Sequence, residues 1–302
     1  MTAEQRLITF DVATAPDESL QMGTKLNYQP QAADNSIDAD IYLFCQLRKL
    51  SLEQRIKMFA AHERGVKKLC LAGIKSRHRS ASKEEIRCIF ARALLAEKFS
   101  PNFQFIGVDE SMWIQDSISL AGELHQLFES INIPYYVSGG VASSIHGEPR
   151  STRDLDLVIS VQPDQIDLLV TTLETAGYYC PAGAVEDLKR GYERMLNITH
   201  TETIANADLY ITDGSPFAVS QMARRILPDL DGIPQFWVAS PEDTILQKLW
   251  WGQSSQSEKQ WRDVLGILKL QAQGLDYTYL IEWAEHLNLV DALSLALTEA
   301  GI

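Results

Sequence analysis

Apolar positions recur at helical spacing in some stretches of the chain and at alternate positions in others, and the change of period divides it. From residue 39 the pattern is helical. Leu52, Ile56, Phe59, Val66 and Cys70 fall on one face, and Ile86, Ile89, Phe90 and Leu94 repeat the arrangement. Ser51 with Gln54, and Ser82 with Glu85, have the spacing of capping boxes, in which each partner satisfies a backbone N–H of the other. Helices are predicted to start at both. The basic connection LAGIKSRHRSAS lies between them, and two or three helices make a small module over 39–100 that ends near Phe99. Residues 1–38 show no sustained period and read as a flexible arm with one short strand at RLITFDV.

Past a linker at Ser100, Pro101 and Asn102 a second unit is expected over 103–239. A helix over 111–131 leads through Pro134 to a short strand YYVS. A Gly-Gly turn, the helical stretch VASSIHG and the strand DLDLVIS follow. A helix over 163–176 precedes strands at 192–199 and 205–211. After 240 the chain is helical again. Ser240-Pro241-Glu242-Asp243 has a cap, a proline at the first position and acids on the positive dipole end. Helices are predicted at 241–251, 257–271, 277–287 and 290–299, completing a C-terminal helical part over 240–302. The fold class is α+β (or α/β): a small mixed sheet flanked by helices, with separate helical parts at both ends.

Composition adds the class of protein. With 45% apolar and 22% charged residues the 302-residue chain reads as globular. No apolar run is long enough for a membrane span, and the N-terminus lacks a secretory pattern. Four scattered cysteines without CxxC spacing fit reduced thiols and a cytoplasmic location. The net charge of −13 is uneven: residues 40–100 carry 14 Lys plus Arg against 6 Asp plus Glu. Such a basic module meets something acidic. Either it contacts nucleic acid, through residues 64–92, or it docks on the acidic remainder of its own chain.

The chemistry concentrates in SGGVASSIHGEPRSTRDLDL, residues 138–157. On a strand, Asp154 and Asp156 project to one side while Leu155 and Leu157 face the other. Two adjacent carboxylates repel unless a cation separates them, and hard oxygen ligands suit Mg²⁺ or Mn²⁺. Asp208, in the alternating run ANADLYI, supplies a third carboxylate if its strand lies beside the first, and three could hold two ions. Gly139 and Gly140 precede a helical turn, where backbone can approach an anion; Ser138, Ser143 and Ser144 offer hydroxyls. Together these parts suit metal-assisted phosphoryl or nucleotidyl transfer.

Gly139-Gly140, thirteen residues, then Asp154-Leu155-Asp156, with Asp208 in a later strand, resembles the nucleotidyltransferase signature of the DNA polymerase β superfamily. The fuller pattern of Gly139, Gly140, Ala142, His146, Gly147, Pro149, Arg150, Thr152, Arg153, Asp154 and Asp156 is similar to small bacterial nucleotidyltransferases of the abortive-infection toxin type. Residues 238–271 resemble that group's C-terminal helical part, so the likeness spans roughly 110–300. It implies a nucleotidyltransferase core and transfer of an NMP from an NTP such as ATP to a hydroxyl of RNA, protein or a small molecule. It implies that two Mg²⁺ ions, or Mn²⁺ in their place, are held by Asp154, Asp156 and Asp208, with Asp208 on the ion that activates the acceptor. Ser138, Gly139, Gly140, Ser143 and Arg153 would bind the nucleotide. Lys248 would meet the triphosphate or hold the helical part against the sheet. A toxin–antitoxin or defence setting is a further implication, as is a non-catalytic nucleotide-binding regulator with the same fold.

Blander readings stand beside these. His146 reads as a structural turn residue rather than a base. Arg150 and Arg153 either pair with the carboxylates or meet phosphate. Trp250 and Trp251 read as core or helix contacts before base-stacking platforms. Trp261, Arg262 and Asp263 read as packing with an internal ion pair.

Overall fold

The computed structural model describes residues 27–255 and 257–302; the strand expected at RLITFDV lies outside them. Three helices open the described chain: α1 (Ile37–Lys49), α2 (Leu52–Arg77) and α3 (Lys83–Leu95). After them come α4 (Ser117–Ser130), β1 (Tyr135–Val137), α5 (Gly139–His146), β2 (Leu155–Ile159) and α6 (Ile166–Thr175). Next are β3 (Tyr178–Tyr179), α7 (Ala182–Lys189), β4 (Met195–His200), β5 (Asn206–Ile211) and α8 (Pro216–Arg224). The chain ends in α9 (Pro241–Ser255), α10 (Glu258–Gln271), α11 (Tyr277–His286) and α12 (Val290–Ala300). Both capping boxes form as the sequence predicts, at Ser51/Gln54 and Ser82/Glu85. No helix among the described residues is long and apolar enough to cross a membrane.

The α+β class is seen directly. Five strands form one mixed sheet in the order β1-β2-β5-β4-β3, with only β2 and β5 parallel. Alternation decides its faces. Leu155, Leu157 and Ile159 on β2, Ala207 and Leu209 on β5, and Leu196 and Ile198 on β4 join α4, α5 and α6 in the main core. The intervening residues therefore look the other way, where Tyr136, Val158 and Ala239 form only a small cluster. α9 to α12 bury a second core around Ile245, Leu246, Val264, Leu268 and Leu280.

The N-terminal helices distribute over three packing sites. Ile56, Phe59 and Ala60 of α2 enter the main core. The far half of α2 and α3 enclose Ile74, Ile86, Phe90 and Trp113, where Phe90 and Trp113 stack at 6.0 Å. α1 lies instead on α10 through Phe44, Leu47 and Leu270. At that contact Lys269, 1% exposed, binds Asp40 at 2.8 Å and lies 4.3 Å from the centroid of the Tyr28 ring. Burying two charges this deeply is tolerable because they are paired and hydrogen-bonded. The arm expected to run to residue 38 is thus anchored from Tyr28 onward: Gln31 N–H also donates to Asp40, at 2.9 Å, and Gln29 N–H to Glu299 O, at 2.9 Å.

Candidate active site

The register of β2 and β5 pairs Asp156 with Asp208, on the sheet face away from the main core. Asp154 precedes the first residue of β2 and is half-buried, so it reaches the same region from the strand's entrance rather than from the ladder. Asp208 is buried, and Asn197 Nδ2, facing it across the β4–β5 ladder, donates to Oδ1 at 2.6 Å. Asn197 alternates with buried Leu196 and Ile198, a pattern that could have marked it as a site-side residue.

The glycine turn lies directly beside Asp156. Gly139 opens α5 at φ +58°, and a Cβ there would stand 1.9 Å from Asp156 Oδ2. Only glycine satisfies both demands: a left-handed backbone and no side chain against the carboxylate. Gly140 N–H points at Asp156 Oδ2 at 3.4 Å. Gly139→Ala is accordingly expected to cost roughly 2–4 kcal/mol of folding stability, from backbone strain plus the displaced carboxylate. Urea unfolding measures this; a loss under about 0.5 kcal/mol, the range of a neutral surface change, would contradict the close approach.

Lys98, at the end of the short 3₁₀ turn after α3, comes from outside every motif read in the sequence. Its ammonium sits 2.8 Å from Asp154 Oδ2 and 2.6 Å from Asp208 Oδ2. Burial alone would lower the Lys98 pKa, but the hydrogen bonds and charges of the two aspartates outweigh it and hold the group above its ordinary value. Asp156 shifts the opposite way for a carboxylate. Burial first, then the charge of Asp208, push it above the usual carboxylate range against the pull of Gly140 N–H and Lys248.

Behind Asp156 lies a buried ion triad. Arg150 grips Asp263 with Nε at 2.7 Å and a terminal nitrogen at 2.6 Å, while Lys248 Nζ meets the same carboxylate at 2.9 Å. Burial lowers the Lys248 pKa against the raising effect of Asp263. Arg150 thereby ties the loop after α5 to α10, and Lys248 ties α9 to α10. The expected ion pair of Asp263 is present, with partners outside its own helix.

The structure therefore brings together Asp154, Asp156, Asp208, Gly139 and Gly140, with Lys248 within electrostatic reach of Asp156. The hydroxyls are engaged elsewhere: Ser138 Oγ donates to Gln247 at 2.5 Å, Ser143 Oγ to Gly139 O at 2.8 Å and Ser144 Oγ to Gly140 O at 2.9 Å. Arg153 is exposed. His146 is buried on Ala239 O at 2.7 Å, and burial pushes its pKa down to about 4, as befits a neutral structural imidazole. Several basic groups meet acids of the same chain, Arg64 on Asp116 and Lys75 on Glu110 among them. Trp251 tilts against Tyr210, ring centroids 6.3 Å apart, and Trp250 is exposed.

Among the described residues, no group of three or more His, Cys, Asp or Glu side chains is gathered tightly enough to hold a metal ion. The donor set nevertheless fits a hard divalent ion in kind. It is all carboxylate, and two of its oxygens already converge on one cation, the Lys98 ammonium.

No family model matches the chain. No curated protein matches it. Among solved structures it is similar to an antigenic nucleotidyltransferase-like protein from Paracoccidioides brasiliensis, at 20% identity and a TM-score of 0.41 over 61% of this chain and 92% of that one. It is also similar to the antibiotic-resistance factor ANT(2'')-Ia in solution, at 13% identity and a TM-score of 0.38 over 59% of this chain and 94% of that one. The same factor in complex with adenylyl-2''-tobramycin gives 13% identity and a TM-score of 0.37, over 58% of this chain and 95% of that one. Likenesses this distant say nothing about substrate.

Proposed function

We propose that the chain is a Mg²⁺-dependent nucleotidyltransferase, moving an NMP from an NTP to a hydroxyl of an RNA, a protein or a small molecule. The observation that carries this reading is the register that sets Asp156 against Asp208 beside a glycine turn only glycine can make. The signature resemblance agrees with it. Asp154, Asp156 and Asp208 would hold the ions, which when bound supply charge neutralisation at the entering and leaving oxygens. The chain's own contribution is placement. Asn197 fixes the direction of Asp208. Gly139 and Gly140 let the backbone at the start of α5 lie directly against Asp156, with Gly140 N–H turned toward that carboxylate. The net positive triad of Arg150, Asp263 and Lys248 lowers the cost of anionic charge next to it. The acceptor hydroxyl would attack the α-phosphorus as its proton passes to a site carboxylate or to water, the bond from the α-phosphorus to the bridging oxygen would break, and pyrophosphate would leave. An RNA acceptor would find exposed Lys68 and Arg77 on α2 and Arg79 in the turn that follows it. The toxin setting rests on the sequence resemblance alone.

The purified chain, incubated with each NTP, Mg²⁺ or Mn²⁺ and a broad panel of acceptors, is expected to release pyrophosphate only with metal present. Absence of metal-dependent turnover across the panel would overturn the enzyme reading. Lys98 favours a second one, a nucleotide-binding regulator, because a lysine already neutralises part of the carboxylate cluster. Calorimetry separates the two: nucleotide binding that needs no divalent ion and survives loss of all three aspartates belongs to the regulator.

A further inference from the structure

The contact between Lys98 and the carboxylates is built rather than incidental. Leu95, the last residue of α3 and three positions before Lys98, is buried in the small core shared by α2, α3 and Trp113. Phe99, just after it, packs edge-on against Phe103 at 6.2 Å, and Phe103 leans in turn on Tyr179. Between these anchors Ala96 turns off the end of α3 at φ +48°, a backbone conformation that costs a non-glycine residue energy. That bend and the two anchors carry Lys98 to the sheet, where its ammonium meets Asp154 and Asp208 but not Asp156.

One cation bridging two carboxylate oxygens stands where a divalent ion shared by those residues would stand. We infer that Lys98 is an intramolecular competitor for divalent metal, holding the Asp154–Asp208 pair closed until it is displaced. This rests on the reading that the three aspartates hold metal. It makes the N-terminal helices part of the control of the site, because the lysine is carried on the turn that ends α3, held between the small core of α2 and α3 on one side and Tyr179 of β3 on the other. Asp156, untouched by Lys98, remains open to an ion while the other two carboxylates are occupied.

Titration of the full chain with Mn²⁺, without nucleotide and followed by electron paramagnetic resonance, tests this. Lys98→Met is expected to bind Mn²⁺ about tenfold more tightly than wild type, the effect of removing one opposing charge at contact distance from carboxylates. Lys98→Arg, which keeps the charge, is expected to bind as wild type does. A second measurement needs no variant. Amine-labelling mass spectrometry of the wild-type chain should show Lys98 becoming more reactive as Mn²⁺ is added, since the ion frees its ammonium. Equal or weaker Mn²⁺ binding by Lys98→Met, or unchanged Lys98 labelling while Mn²⁺ binds, would overturn the competition and leave the metal reading intact. No Mn²⁺ binding by either protein would overturn both.

Discussion

Asp156→Asn is expected to abolish metal-dependent transfer and, in the same preparation, to raise the melting temperature of the metal-free protein. The two effects have one cause. Asp156 lies opposite Asp208 on the adjoining strand, and burial together with that neighbour's charge holds its carboxyl above the usual carboxylate range. A carboxyl whose pKa rises on folding costs stability wherever it is ionised in the native state. The cost is full at neutral pH and fades as pH falls toward the unfolded carboxylate value, where both states bind the proton. Asparagine has the same outline but no charge, so its stabilising effect should be present at pH 7 with chelator and vanish near pH 3. On the proposed reading turnover needs the charge: losing a carboxylate that would hold the metals should remove several kcal/mol of transition-state stabilisation, or about 10³-fold or more in rate. Thermal unfolding in chelator and pyrophosphate release in Mg²⁺ measure the two arms. A variant less stable than wild type at pH 7 would contradict the repulsion. A rate within tenfold of wild type would remove Asp156 from the reacting centre.

This pairing was legible in the sequence because its ingredients are local. Alternation along DLDLVIS and ANADLYI fixes which side chains face the core, and the register only had to bring the two runs together. The helix starts were legible for the same reason: Ser51, Ser82 and Ser240 each bond a backbone N–H three residues on. The long helix expected over 111–131 breaks into a 3₁₀ turn at Met112–Ile114 and α4, because Asp116 caps the latter by accepting from Ile118 and Ser119 N–H. The sequence pattern does not predict β3, only two residues long, or α7 and α8, which are eight and nine residues long and so span little more than two turns each.

What the sequence could not show is charge pairing across distance. Lys98 meets Asp208 from 110 positions away, and Lys269 meets Asp40 from 229. Hydropathy assigns each of these lysines to solvent, and only the partner's arrival makes burial tolerable. The basic excess of residues 40–100 was visible, yet its spacing does not say which lysine enters the site. Asp154 is an intermediate case. The alternation that pairs it with Asp156 holds in direction, but the strand starts one residue later, so Lys98 rather than the ladder fixes its carboxylate.

Asp263→Ala is expected to be the most destabilising single change in the C-terminal helices, at about 3–5 kcal/mol, the range seen when a buried ion pair loses one member. The residue is 6% exposed and serves two cations at once, a bidentate Arg150 and Lys248. Burial works against its ionised form, but the hydrogen bonds and charges of those partners outweigh that and hold its pKa below the usual carboxylate range. Removing it leaves two like charges facing each other in a site with little water. Lys248 is the group that gives way, since burial already lowers its pKa and losing Asp263 takes away the largest opposing influence. The hub position predicts an order that a simple count of contacts would not. Lys248→Met leaves a balanced Arg150–Asp263 pair and should cost clearly less than Asp263→Asn, which keeps the shape but strands both cations. The loss should also be pH-dependent in a known direction: an Asp263 variant should recover part of its stability as pH rises and Lys248 sheds its proton, whereas wild type, in which Asp263 opposes the lowering of the Lys248 pKa, should gain less from that step. Urea unfolding of the three variants at pH 7 and pH 9 provides the comparison. Lys248→Met proving as costly as Asp263→Asn would show that the lysine, not the aspartate, is the centre of the triad.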